Sequence, residues 1–146
     1  MKTKTPILIL ILFIGSIISS EIKAQNSEQL FIKANELYNE HSYDSALVVY
    51  EMIMNKGLSS AELYYNLGNT YYKLRNYPMA ILYYEKSLNA DPSNVTALNG
   101  LGYVLACENK DLTKALSCCK KAVDANPNSA ACLDSLGWVY YKLGMI

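Results

Sequence analysis

The chain has 146 residues, with 13 Lys/Arg against 13 Asp/Glu and a formal net charge of zero. It is 51% hydrophobic and 18% charged, which excludes a disordered segment, and no Lys/Arg cluster offers the footprint that nucleic-acid backbones require. Four prolines and seven glycines leave little room for long linkers, so the length fits one domain.

Residues 1–24 read as an export signal. Lys2 and Lys4 precede an apolar run from Pro6 to Ile18, and Ala24 supplies a small residue before Gln25, with Ser20 as a second cleavage candidate. The uncharged stretch 5–20 is 16 residues long, short of the roughly 18 that a spanning helix needs. Cleavage is therefore expected over retention as a signal anchor. The first cysteine is Cys107, so a lipoprotein anchor is not expected. Removing 1–24 takes away Lys2, Lys4, Lys23 and Glu21 and lowers the net charge from zero to −2. The expected location is the periplasm or envelope of a bacterium.

From residue 27 the sequence repeats. The first unit, 27–60, places Leu30, Ala34 and Leu37 on one helix and Ala46-x3-Tyr50 on a second. That second helix is expected over about 44–56, capped by Ser42 or Asp44 and stopped by Gly57. Lys33 and Leu58 depart from the pattern of the later units, as a terminal repeat tolerates.

The second unit, 61–94, is the clearest: Tyr64-x2-Leu67-Gly68-x2-Tyr71, then Ala80-x3-Tyr84, then Pro92. Apolar residues at 63, 64, 67, 71 and 74 share one face, which predicts a helix over 62–75. Gly68 inside it costs about 1 kcal/mol relative to Ala, so a second helix is expected to come close there, with small Ala80 opposite it. Asn76-Tyr77-Pro78 breaks the first helix, and Asp91-Pro92 stops a second one over 78–90.

The third unit, 95–129, carries Leu98-x2-Leu101-Gly102-x2-Leu105, Ala115-x3-Cys119 and Pro127. It is one residue longer than the second, and the extra residue is expected within 108–111. Asp111 is expected to cap a helix from Leu112 to Ala125. The stretch 130–146 repeats only the first half, as Leu133-x2-Leu136-Gly137-x2-Tyr140. A capping helix should turn a polar face outward, whereas this one carries Trp138, Val139, Tyr141, Met145 and Ile146 besides its core positions. The expectation is a truncated product of a longer gene, with a terminal capping helix as the alternative.

The pattern of 61–94 resembles the tetratricopeptide repeat (TPR), with Tyr in place of its Trp and Tyr in place of its Phe. The resemblance covers 27–146. It implies an all-α, right-handed solenoid of antiparallel helix pairs, three repeats plus one extra helix. The run Leu63–Asn69 and the Ala24-Gln25 junction also resemble exported proteins of Bacteroides-like bacteria, notably the TPR proteins of the aerotolerance operon.

The same resemblance implies a non-catalytic scaffold that holds a peptide or protein in a concave groove lined by first helices. On the groove positions of the family stand the amides Asn35, Asn66, Asn69 and Asn99 and the rings Tyr38, Tyr65, Tyr72, Tyr103 and Trp138. An amide offers a peptide backbone both a donor and an acceptor, and Tyr and Trp dominate binding hot spots. Some TPRs clamp a C-terminal carboxylate. Asn35, Asn66 and Asn69 match that clamp, but Phe31, Thr96 and Gly100 stand where it has cations, so weak or no carboxylate recognition is expected. The alternative to a groove scaffold is a structural module that self-associates through its apolar end at 138–146.

Cys107, Cys118, Cys119 and Cys132 fit no zinc spacing. Four cysteines in an exported chain allow three disulfide connectivities, with unpaired thiols the favoured expectation; Cys119 takes a core aromatic position, and Cys107, Cys118 and Cys132 are free to face outwards. His41 is the lone histidine, and no nucleophile–base set assembles around it. Gly68, Gly102 and Gly137 recur at repeat spacing, which serves helix packing and not a phosphate loop. No catalytic site, metal, cofactor or nucleic-acid partner is expected.

Overall fold

The computed structural model describes residues 26–146. The export signal assigned to 1–24 lies outside the described residues. Among those described there are seven helices and no strand. Helix α1 is described over 26–39. It is followed by α2 (Tyr43–Asn55), α3 (Ala61–Lys73), α4 (Tyr77–Ala90), α5 (Val95–Cys107), α6 (Leu112–Ala125) and α7 (Ala130–Lys142). From α2 on each helix packs on the next, α5 also packs on α3 and α7, and α1 meets α2 through Phe31 and Asn35 against Tyr50. The result is an α-solenoid of antiparallel pairs with α7 as a single last helix, as the repeat spacing predicts.

The helix starts are fixed by side chains that accept a hydrogen bond from an otherwise unpaired backbone N–H. Ser60 caps α3, Asn76 caps α4, Asn94 caps α5, Asp111 caps α6 and Ser129 caps α7. Asp111 accepts from the Lys114 N–H at 3.0 Å, as its position before Leu112 predicts. The cap expected of α2 is absent: Ser42 is the N-cap residue but makes no side-chain cap bond. Pro78 stands in the first turn of α4, where its missing N–H costs nothing.

The helix ends share a backbone device. After α1, α3 and α5 the residues His41, Arg75 and Asn109 adopt positive φ, and after α7 Gly144 does so at φ 70°. In each case this residue donates to a carbonyl three residues back, and the next one donates five residues back. The latter bonds are Ser42 to Leu37, Asn76 to Tyr71, Lys110 to Leu105 and Met145 to Tyr140, at 2.9 to 3.0 Å. This is the Schellman arrangement. It turns the chain back along the helix it has just left. The extra residue of the third unit follows Asn109, and Asp111 there takes φ 36°.

The core runs along the stack through Leu63, Leu67, Leu101, Val104 and Val139, with Tyr50 and Tyr84 pressed between helices. Gly68 is approached by the ring of Tyr84, not by Ala80 as expected. A Cβ at Gly68 would stand 2.7 Å from that ring, and one at Gly100, on α5, would stand 2.8 Å from it. Tyr84 is therefore wedged between two glycines on successive first helices. At Gly102 the intruding atom would meet Cys119 Sγ and the Ala115 carbonyl. The cysteines depart from expectation too. Cys118 and Cys132 are buried with Cys119, and only Cys107 is half-buried; all four are free thiols. Cys119 stands where Tyr84 stands in the repeat before and packs against Gly102 as a small apolar group.

Candidate functional site

First helices α1, α3, α5 and α7 line a concave face with two cavities. The larger, about 490 Å³, is bounded by Tyr38, Tyr65, Asn69, Tyr72, Asn99 and Tyr103, floored by Tyr84 and Gly100, and closed on one side by Ala131, Cys132 and Ser135 of α7. The smaller, about 290 Å³, lies between α1 and α3 against Asn35, Tyr38, Asn39, Glu62, Asn66 and Asn69. The structure thus brings together eight of the nine residues picked from sequence. Trp138 is not among them. It lies off both cavities, stacked on Tyr141 with ring centroids 5.4 Å apart and with Lys142 Nζ 5.0 Å above its ring.

The amides divide into different roles. Asn69 Oδ1 accepts the buried Tyr84 hydroxyl at 2.7 Å. Asn35 Oδ1 accepts from the Tyr50 hydroxyl and from Asn66 Nδ2. The same pairing, a first-helix asparagine with the tyrosine 15 residues later, thus recurs in two repeats. These oxygens satisfy core hydroxyls. Asn99 differs: its Oδ1 is buried and has no hydrogen-bond partner. An unmet buried acceptor of this kind costs about 1–3 kcal/mol.

The rings form a continuous wall. Tyr72 meets Tyr103 edge to face at 6.0 Å and Tyr77 at 5.8 Å, and Tyr65 lies 6.2 Å from Tyr84. Burial, with the neighbouring Tyr43, Tyr65 and Tyr72, pushes the Tyr38 hydroxyl up to about 12. Hydrogen bonding to Cys107 and then to Tyr72 raises that of Tyr103. These phenols stay protonated at neutral pH and act as hydrogen-bonding and stacking surfaces. Among the lining residues only Lys73 and Glu62 carry charge. Among the described residues no three His, Cys, Asp or Glu side chains gather to hold a metal, and no helix is long and apolar enough to cross a membrane.

Sequence reasoning missed the part played by Tyr84 as floor, and the contribution of Asn126 and Ser129 from the turn before α7. The former was readable from the glycines at 68 and 100, which leave a ring-sized gap on two adjacent helices. The latter needed the curvature of the stack, which residue spacing does not carry.

Residues 61–94 match the family model of the tetratricopeptide repeat. A TPR repeat-containing protein of Pseudomonas aeruginosa is 41% identical over 56 residues, which span 38% of this chain and 10% of that protein. The chain spans no more than 57% of the photosystem I assembly protein Ycf3 of Prochlorococcus marinus, another relative. Among solved structures, the C-terminal TPR-containing domain of a Plasmodium falciparum FK506-binding protein superposes with a TM-score of 0.78 at 25% identity, over 85% of this chain and 92% of that one. The first TPR of Spaghetti (RPAP3), bound to an HSP90 peptide, superposes at 0.75 with 19% identity, over 82% and 94%. The fold is that of a TPR solenoid.

Proposed function

We propose that this TPR solenoid is a non-catalytic scaffold that holds an extended peptide or protein segment on its concave face, against α3, α5 and α7. The observation that carries this reading is the larger cavity: about 490 Å³ and walled by tyrosines. A bound segment would stack on Tyr65, Tyr72 and Tyr103. The peptide-bound Spaghetti structure supports the reading, since that protein holds its peptide on the same fold.

The partner is not read through a terminal carboxylate. Phe31, Thr96 and Gly100 provide no cation, and Gly100 is held small by the ring of Tyr84. With the segment 1–24 read as a signal, the scaffold works in the periplasm or envelope of a bacterium.

The test is capture from an envelope extract with the wild-type chain and with Tyr65→Ala/Tyr72→Ala. Asn69 is left intact because it satisfies Tyr84 in the core. Equal helical circular dichroism of the two proteins is the control. A partner retained by the wild type and lost by the variant supports the groove, whereas identical captures refute it.

A further inference from the structure

The two concave cavities are equivalent stations of successive repeats, and their chemistry differs. The wall from the earlier helix is alike in both: Asn35 and Tyr38 on α1 stand where Asn69 and Tyr72 stand on α3. The other positions diverge. From the smaller cavity to the larger, Asn39 gives way to Lys73 and Glu62 to Thr96. Asn66 gives way to Gly100, and Asn69 to Tyr103. One step along the stack thus turns an amide-lined station with one carboxylate into a ring-lined station with one ammonium.

Glu62 is exposed and makes no ion pair among the described residues. A carboxylate in the first turn of a helix suits the helix dipole, yet α5 and α7 start without one, with Thr96 and Ala131 in its place. It stands near enough to the Tyr50 hydroxyl to help raise it, after burial and Tyr38. Asn66 donates Nδ2 to Asn35 Oδ1 at 3.2 Å, so its own oxygen remains an acceptor. The smaller cavity therefore offers acceptors and a negative charge, which suit a guanidinium or ammonium group. The larger cavity disfavours the same group. Lys73 Nζ lies 6.0 Å from the Tyr72 ring centroid, and a second cation there would meet like charge. Gly100 leaves the floor to the Tyr84 ring, and the surrounding rings suit a flat apolar side chain.

We propose that the concave face reads a bipartite segment, with a basic residue seated at Glu62 in the smaller cavity and an aromatic residue in the larger. This rests on the groove reading above and adds the side-chain chemistry of the partner and its direction along the stack.

The probe is the peptide Ac-RGGGWG-NH2, whose glycines let the two side chains find their own spacing. It is titrated into the full 146-residue chain and followed by amide NMR shifts. Shifts are expected at Glu62 and Asn66 that vanish when alanine replaces the peptide's arginine, and at Gly100 and Tyr103 that vanish when alanine replaces its tryptophan. Glu62→Gln should weaken the arginine peptide about fivefold, as loss of an exposed ion pair allows, and leave the peptide with alanine in place of arginine unaffected. A melt of the variant verifies its fold. Equal weakening of both peptides, arginine-dependent shifts at Gly100, or no saturable shift at all overturns the proposal. The groove itself is decided by the Tyr65→Ala/Tyr72→Ala capture. A partner lost by that variant, together with peptide binding that ignores Glu62→Gln, sinks the bipartite reading and leaves the groove standing.

Discussion

Tyr84 joins three functions in one side chain: its ring separates Gly68 from Gly100, its hydroxyl satisfies Asn69, and its edge forms the floor of the larger cavity. Adding a methyl at Gly68 forces this ring to move, and overpacking of this sort costs about 1–3 kcal/mol. The same change at Gly137 meets open space and should stabilise the helix by about 0.5–1 kcal/mol. Gly68→Ala and Gly137→Ala are therefore expected to shift the urea midpoint in opposite directions, and a shared direction would refute the packing described. Asn69→Ala strands the Tyr84 hydroxyl and should cost about 1–3 kcal/mol, whereas Tyr72→Ala should leave more of the stability intact. The glycine at 68 was legible from its mid-helix position. Its true neighbour was not, because sequence spacing points to the alanine on the next helix and says nothing about which rotamer a ring four residues further on adopts.

At the scale of the helix, the buried thiols of α6 set a chemical pattern. Burial, helped by Cys118 and Cys132, pushes the Cys119 thiol up to about 12, and burial also raises Cys118. Only thiolates react quickly with disulfide reagents. At pH 8 the native chain is expected to show one fast thiol, Cys107, and three that react only as the fold opens. Three fast thiols would contradict the burial of Cys118 and Cys132. Alkaline pH acts on the same elements. The hydroxyls of Tyr38 and Tyr50 are pushed up to about 12 by burial, so the folded state holds these protons more tightly than the unfolded chain, whose tyrosines titrate near 10. Stability is thus fully present below about pH 10 and falls as pH rises toward 12. Urea melts at pH 9 and 11 measure the fall. Helix limits were readable to within a residue or two because asparagine, serine and proline punctuate them. The recurring left-handed turns were not, since His41, Arg75, Asn109 and Gly144 share no chemistry and only the backbone hydrogen bonds impose that conformation.

For the whole molecule, the concave face decides what kind of segment it accepts. With Lys73 as the one cation of the larger cavity, a captured partner is expected to bind equally well with its C-terminus free or amidated. A loss of more than tenfold on amidation would show a carboxylate site that the lining residues do not supply. The repeat periodicity made the solenoid legible, and eight of the nine groove candidates line the two cavities. Trp138 occupies the same register on α7 but stacks on Tyr141 and lines neither cavity, which residue spacing alone does not show.

The wedge at Tyr84 bears on how the molecule opens. In a stacked array, units exchange their amide protons according to the neighbours that hold them. A single ring bearing on α3 and α5 ties α3, α4 and α5 into one cooperative block. The amides of Leu67, Tyr71 and Leu101 should then be the slowest to exchange with deuterium, and all three should do so at one common rate. Those of α7, pinned on two sides only, should exchange first, and Tyr84→Ala should split the block into two independent rates.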